Sequence, residues 1–291
     1  MIDVNPPVTL TRAVRAAAMR LTGSQTPLLD ARVLAKRALG LDDATFILAA
    51  DRVLTIEEGA HIAALVARRA AGESVAHIIG EKEFYGLNFK LAPGVLAPRP
   101  DSESLIDAAR KRRDPKAPLR ILDLGTGSGC LLCTLLAVFP NASGVGVDIN
   151  ETAINVARSN ARALGFQSRA AFLVGDWAEA IPGRVDLIIS NPPYIPAGDR
   201  QALAPEIRDF EDPRALFAGP DGLAAVKSIL AAAPARISPS GLMIIELGAG
   251  QDQAAKGLAT GAFPSAAIDI EPDLAGWPRA LVIDLSQQKS L

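Results

Sequence analysis

The sequence predicts an α/β fold, a parallel sheet with helices on both faces, preceded by a small helical domain. Three observations carry that prediction. From about residue 119 onward, near-continuous apolar runs alternate with amphipathic stretches, the pattern of strands buried on both faces. A glycine-rich turn joins the first of those runs to an apolar helix. Before residue 80 the apolar spacing is helical and is punctuated by capping residues.

At 291 residues the chain exceeds one average domain, so one large or two unequal domains fit it. Hydrophobic residues make up 49% and charged residues 21%, enough apolar material for a core. Aromatics are only 4%, which leaves that core to Ala, Leu, Ile and Val. The formal net charge of −2 lacks the basic excess of a protein that grips many phosphates.

The helical part comes first. Asp3, Pro6 and Pro7 precede any apolar run, which does not fit a signal peptide. Thr26-Pro27 supplies an N-cap followed by proline at the first helical position, and Gly40 ends that segment. Thr55 with Glu58 three residues on is a capping box, and Gly72 closes a helix bearing Ile62, Leu65 and Val66. His61 and His77, the only histidines, fall here and are given structural or surface roles. Compact helices without a catalytic constellation read as a docking module over residues 1–80, or as a cap on the larger domain.

Residues 81–103 follow as a hairpin and connector. Phe84-Tyr85 and Asn88-Phe89-Lys90 flank Gly86, which predicts a short β-hairpin. Ala97-Pro98-Arg99-Pro100 is stiff and extended, because each proline restricts the residue before it.

Residues 104–291 make the larger domain. Its strands are read at Leu119–Leu124, Gly144–Val147, Ala171–Val174, Val185–Ile189, Leu242–Leu247 and Ala280–Leu285, with helices at Glu151–Leu164 and Gly222–Ala235. Cys130 and Cys133, the only cysteines, stand three apart on one side of a helix and read as small buried hydrophobes rather than a metal or redox pair. The densest apolar stretch, Leu131–Phe139, is too short to cross a bilayer, so a soluble, cytoplasmic protein is expected.

A nucleoside site is drawn by three strand ends. Ile121-Leu122-Asp123-Leu124 runs into Gly125-Thr126-Gly127-Ser128-Gly129, where missing Cβ atoms let a ligand approach the backbone. The next strand ends in Asp148, a carboxylate able to accept from both ribose hydroxyls. The third leads to Gly175-Asp176-Trp177, an indole for an adenine ring to pack near and a carboxylate to read its polar edge. The spacing GxGxG departs from the GxGxxG dinucleotide fingerprint, and no hydride acceptor site is evident. S-adenosylmethionine is therefore preferred to NAD, chiefly because of the next motif.

The fourth strand delivers Asn191-Pro192-Pro193-Tyr194. Two adjacent prolines stop a strand in many proteins, but this turn sits beside the glycine loop. An amide nitrogen donates its lone pair into the carbonyl and is a poor nucleophile. Acceptors aimed at its two N–H bonds would hold it in place: the Asn191 side-chain carbonyl, and the Pro192 main-chain carbonyl whose direction the locked proline φ fixes. Tyr194 could pack on the flat amide face and exclude water. The candidate catalytic residues are thus Asn191, Pro192 and Tyr194, with Pro193 in the acceptor site. The cofactor set is Asp123, Gly125, Thr126, Gly127, Ser128, Gly129, Asp148, Asp176, Trp177 and Asn191, and no metal is expected.

These residues resemble the peptide chain release factor N(5)-glutamine methyltransferases. The resemblance spans GEKEFYGLNF, PRPDSE, DLGTGSGC, VDIN, GDW, SNPPYIP, EIRDFEDPRALFAGPDGL and DLAGWPRAL, nearly the whole chain. NPPY is shared with adenine-N6 DNA methyltransferases, whereas EFYGL and the stretch after NPPY are more specific. The resemblance implies a class I methyltransferase, a Rossmann-like seven-stranded sheet behind a small helical domain. It implies contacts from Gly125–Gly129, Asp148, Trp177 and Asn191 to S-adenosylmethionine. It also implies contacts from Asn191–Tyr194 to the glutamine of the Gly-Gly-Gln loop of class 1 release factors. The family commonly has Glu-Thr-Glu where this chain has Asp101-Ser102-Glu103, and a polar residue where Trp277 stands. A monomer without nucleic-acid or membrane partners is expected. Two other readings are DNA adenine methylation, which the acidic pI of about 5.8 opposes, and a binding module that lost catalysis, which the intact glycines and Asn191 oppose.

Overall fold

The computed structural model describes residues 8–177 and 183–288, so the expectation built on Asp3, Pro6 and Pro7 lies outside the described residues. The chain divides into two compact units, Met1–Gly80 with Ala204–Phe210, and Glu81–Leu203 with Glu211–Leu291.

The first unit is helical: α1 Leu10–Arg20, α2 Pro27–Leu39, α3 Asp43–Leu48, α4 Ile56–Ala70 and α5 Val75–Ile79. Leu10, Val14, Leu34, Phe46, Ile62 and Val66 close its core. The capping box at the start of α4 is complete, with Thr55 and Glu58 each bonding the other's backbone. Thr26 precedes Pro27 as expected, yet its side chain makes no cap bond. Its hydroxyl donates instead to Asp30 at 3.0 Å. Asp30 also accepts from Ser24 and from Arg69, both at 2.8 Å, so a carboxylate only 7% exposed is satisfied by three donors. Helix α4 stops at Ala70 with Ala71 as its cap, two residues before Gly72.

The second unit opens with the hairpin β1 Glu81–Phe84 and β2 Leu87–Lys90. Tyr85 and Gly86 both have positive φ, 51° and 78°, the geometry of a two-residue turn that matches strand twist. Phe84 and Phe89 are buried edge to face, 6.4 Å apart. Burying such a ring is worth about 3–5 kcal/mol on truncation, far more than a surface ion pair at about 0–1. The aromatic pair therefore anchors the hairpin; the exposed Asp107–Arg110 pair, 3.8 Å apart, lies within a single helix and does not itself cross to it.

There follow α6 Glu103–Arg112, β3 Arg120–Leu124, α7 Cys130–Val138, β4 Ser143–Asp148, α8 Glu151–Ala163, β5 Ala170–Val174 and β6 Val185–Ser190. The chain continues with α9 Ala224–Ala232, β7 Ile237–Glu246, α10 Asp252–Ala262, β8 Ala266–Pro272 and β9 Pro278–Gln288. The seven-stranded sheet has the order β5-β4-β3-β6-β7-β9-β8. One face buries Leu105, Leu132, Leu135, Ile154 and the hairpin phenylalanines, and the other buries Val226, Ile229, Ala255 and Ile283.

Two expectations need correcting. The sheet is mixed, because β9 pairs antiparallel with both β7 and β8. Only residues 273–277 separate β8 from β9, too few for the crossover that parallel strands require. Strand β8 itself falls outside the apolar runs: its isoleucines alternate with Asp269 and Glu271 on an edge strand.

Candidate active site

Strand order reverses at β3, where the chain walks outward to β4 and β5 and then returns to β6 on the other side. Loops leaving the carboxyl ends of these strands diverge there and leave a crevice. A cleft of about 1010 Å³, its open mouth included, occupies that place and is lined by the ends of β3, β4, β5 and β6.

The glycine loop is folded back over β4 by its own backbone. The amides of Gly125 and Thr126 both donate to the Val147 carbonyl, at 2.8 and 2.9 Å. Gly125, Gly127 and Gly129 have φ of 70°, 53° and 79°, which residues bearing a Cβ rarely adopt. At Gly129 an added Cβ would stand 3.0 Å from the Cβ of Ala157 on α8. The loop thus needs glycine both for its turns and for close packing on the next helix.

Asp148 closes the loop from the opposite side. Its Oδ2 accepts from the Gly127 amide at 2.9 Å and its Oδ1 from the Asn150 amide at 2.8 Å. A carboxylate offers about four lone-pair sites, so each oxygen keeps one for a ligand hydroxyl. Burial raises its pKa, against the pull of these two backbone bonds. Trp177 lies across the loop, its ring 3.9 Å from where a Cβ of Gly125 would stand. Its φ of 45° is unusual for a bulky side chain, a strain of the kind kept at ligand sites. Asp176 is exposed at the rim.

Asn191 lines the same cleft from the end of β6. Ser190 Oγ donates to the Leu124 carbonyl at 2.7 Å, locking the end of β6 to the start of the glycine loop. The Asn191 amide nitrogen donates to Ser102 Oγ at 2.9 Å, which leaves Oδ1 as the free end. Pro193 also lines the cleft. Pro192 is buried and Tyr194 half-buried, and neither is among the lining residues. The Tyr194 ring covers Gly248, where a Cβ would meet its Cδ2 at 3.0 Å. Burial pushes the Tyr194 phenol up to about 12, with Glu246 adding to the shift.

Asp123 does not line the cleft. It is fully buried beneath the loop and accepts from Thr126 Oγ at 2.6 Å. Burial raises its carboxyl to about 7, the Thr126 hydroxyl opposing. The native protein therefore binds more protons than the unfolded chain between the ordinary value of 3.8 and about 7, and stability falls as pH rises through that window. Between pH 6 and pH 8 the parent is expected to lose roughly 1 kcal/mol more unfolding free energy than Asp123→Asn, as thermal unfolding would measure. Equal losses would show that Asp123 is ionised in the native state throughout.

Several residues of the site went unread in the sequence. Ser102 and Arg99 line the cleft from the PRPDSE segment, whose prolines by themselves announce only a stiff connector. Arg99 pairs with the buried Glu211 at 2.6 Å, and Asp212 and Arg214 line the cleft beyond it. Gly222 is required by close approach: a Cβ there would lie 2.2 Å from the Tyr194 carbonyl, which Gln251 Nε2 holds at 2.9 Å. The signal is present in DFEDPRAL and GPDGL, but nothing in the spacing says that these loops fold back under NPPY. The hairpin is tied in through Asn160, only 1% exposed, which exchanges bonds with Lys90 and donates to the Ser128 carbonyl at 2.9 Å. Cys130 and Cys133 remain free thiols on α7, and burial raises both, Cys130 to about 12.

Comparison with known proteins gives this arrangement a context. A family model described as a methyltransferase domain matches residues 115–249, and one described as the PrmC N-terminal domain matches residues 12–80. A release factor glutamine methyltransferase of Rhodospirillum rubrum is 44% identical, over 91% of this chain and 81% of that one. One of Cereibacter sphaeroides is also 44% identical, over 92% of this chain and 95% of that one. Among solved structures, a methyltransferase from Pyrococcus furiosus superposes with a TM-score of 0.52 at 17% identity, covering 76% of this chain and 98% of that one. That likeness speaks for the fold. Among the described residues, no helix is long and apolar enough to cross a membrane.

Proposed function

The chain belongs to the release factor glutamine methyltransferase family, and on that premise we propose that it methylates the side-chain amide nitrogen of the glutamine in the Gly-Gly-Gln motif of class 1 peptide chain release factors, with S-adenosylmethionine as the donor. The observation that carries this reading is Asn191. It stands in the cleft beside the glycine loop with its NH2 tied to Ser102 and its carbonyl oxygen left to accept.

The donor set fits a nucleoside ligand. Gly125, Gly127 and Ser128 lie along the cleft with little side chain to obstruct a ligand, and Asp148 keeps one lone pair on each oxygen for the ribose. Trp177 packs with the adenine, and Asp176 or a backbone amide reads its edge. When bound, S-adenosylmethionine supplies an electrophilic methyl carbon and a neutral thioether leaving group. Asn191 Oδ1 and the Pro192 carbonyl accept from the two N–H bonds of the glutamine amide, holding the nitrogen and favouring its pyramidal form. Tyr194 packs on the amide plane and keeps water out. No side chain need act as a base, since an amide nitrogen carrying an extra substituent and proton is strongly acidic and sheds the proton to solvent. The chain's main contribution is positioning.

This reading also assigns residues 1–80 to docking of the release factor, 81–103 to the hairpin and connector, and 104–291 to catalysis. The family matches to residues 12–80 and 115–249 support that division. Location in the cytoplasm and action as a monomer without nucleic acid belong to the same reading, because its substrate is a soluble protein. Mass spectrometry of a purified class 1 release factor after incubation with enzyme and S-adenosylmethionine is expected to find one added methyl, on the glutamine of Gly-Gly-Gln. Methyl transfer to duplex DNA with none to the release factor would replace this reading with adenine methylation.

A further inference from the structure

An asparagine serves as an acceptor only if its oxygen, not its NH2, faces the incoming amide. The two ends of a primary amide have nearly the same shape, so packing distinguishes them poorly. Something must choose between them. The choice is visible in a short relay of side chains from three separate stretches of the chain. Asn191 Nδ2 donates to Ser102 Oγ at 2.9 Å, and Ser102 Oγ donates to Glu246 Oε2 at 2.5 Å. Ser102 ends the 3-10 turn Pro100–Ser102, and Glu246 ends β7. They are 2% and 1% exposed, so water does not compete for their bonds.

We propose that Ser102 and Glu246 are positioning residues that set which way the Asn191 amide faces. The inference rests on the acceptor role given to Asn191 above. An ionised carboxylate only accepts, so the Ser102 proton is committed to Glu246. The Ser102 oxygen is then left to accept, and its neighbour must be a donor. That turns the NH2 of Asn191 toward Ser102 and its oxygen toward the cleft. The hydroxyl passes the polarity of the carboxylate on to the amide.

The relay reverses when Glu246 takes up a proton. Burial raises its carboxyl to about 7, opposed first by the Ser102 hydroxyl. The charged and titratable groups around it are Arg279 on β9, Asp101 in the 3-10 turn and Arg99 just before that turn, with the Tyr194 phenol and the Cys130 thiol on α7 also within its field. Arg279 is itself shared with Asp101 at 3.3 Å and Asp273 at 3.2 Å. A protonated Glu246 donates to Ser102 Oγ, the Ser102 proton turns to Asn191, and the amide is drawn to present its NH2 to the cleft. The competent arrangement is therefore present above about pH 7 and lost below it.

The test compares the parent with Ser102→Ala, Ser102→Thr and Glu246→Gln. With a full-length release factor as acceptor, Ser102→Ala is expected to lower kcat about tenfold, through the loss of both bonds of the hydroxyl and of the amide's fixed direction. Ser102→Thr, which keeps the hydroxyl, is expected to restore it, and calorimetric affinity for S-adenosylmethionine should stay within about twofold in each variant. In an Asn191→Ala background, Ser102→Ala should cost nothing further, since the residue to be oriented is gone. The side-chain ¹⁵N signal of Asn191, identified by its loss in Asn191→Ala, should titrate near pH 7 in the parent and not in Glu246→Gln. That last readout needs no acceptor protein, so failure of the relay is distinguishable from failure to methylate a release factor. Full kcat in Ser102→Ala, the same tenfold loss in the Asn191→Ala background, or a ¹⁵N titration unchanged in Glu246→Gln would each overturn the proposal. Should Ser102→Ala not fold, the ¹⁵N comparison of the parent with Glu246→Gln decides alone.

Discussion

Asn191→Ala is expected to lower turnover about a thousandfold while the affinity for S-adenosylmethionine stays within a few-fold. Removing one prearranged polar group aimed at the reacting atoms costs enzymes about a hundred- to a thousandfold, and here the group also fixes the direction of the nucleophile's lone pair. The loss should fall on kcat, because the bond from Oδ1 to the glutamine amide counts most as the nitrogen leaves its planar form. Affinity should fall no further than a few-fold because, Asn191's own contact aside, the ligand contacts assigned to Asp148, Trp177 and the glycine loop do not pass through it. Among the described residues its side chain is held by the bond to Ser102, so the fold loses little when it is cut back. Single-turnover kinetics on a release factor and calorimetry with the cofactor check both halves. Turnover matching the parent's would remove Asn191 from the chemistry.

Asp148→Ala is expected to weaken S-adenosylmethionine binding about a hundredfold, with a smaller change in the turnover of the saturated enzyme. Bonds from neutral hydroxyls to a buried carboxylate are worth about 1.5–3 kcal/mol each after exchange with water, and about 2.7 kcal/mol is already a hundredfold. A second contribution comes from the backbone, since Asp148 also holds the amides of Gly127 and Asn150. Asp148→Asn separates the two, keeping a side chain of the same shape with one acceptor atom, and about a tenfold loss is expected for it. Calorimetry at fixed pH measures both. An unchanged dissociation constant in Asp148→Ala would take Asp148 out of the ribose site.

The parts of the site that were legible in the sequence are those set by local chemistry. Gly125, Gly127 and Gly129 announce a turn that Cβ atoms would forbid, and their positive φ values bear this out. Strand ends at Asp148 and Asn191 follow from apolar runs that stop at a polar residue, and parallel neighbours β3, β4 and β6 bring those ends together. The hairpin at Tyr85-Gly86 and the capping box at Thr55 and Glu58 were readable for the same reason: each is decided within four residues.

What the sequence alone determined, then, was the fold class, the glycine turn and the identity of the chemical motif, because periodicity, backbone freedom and side-chain type are local properties. Only the tertiary structure decided that β9 runs against its neighbours, that Asp123 lies beneath the loop rather than in the cleft, and that Ser102 and Glu246 reach Asn191. Those outcomes depend on which distant segments share a buried volume. A hydrogen bond between residues 89 or 144 positions apart leaves no spacing to read, since burial and direction, not sequence distance, choose its partners.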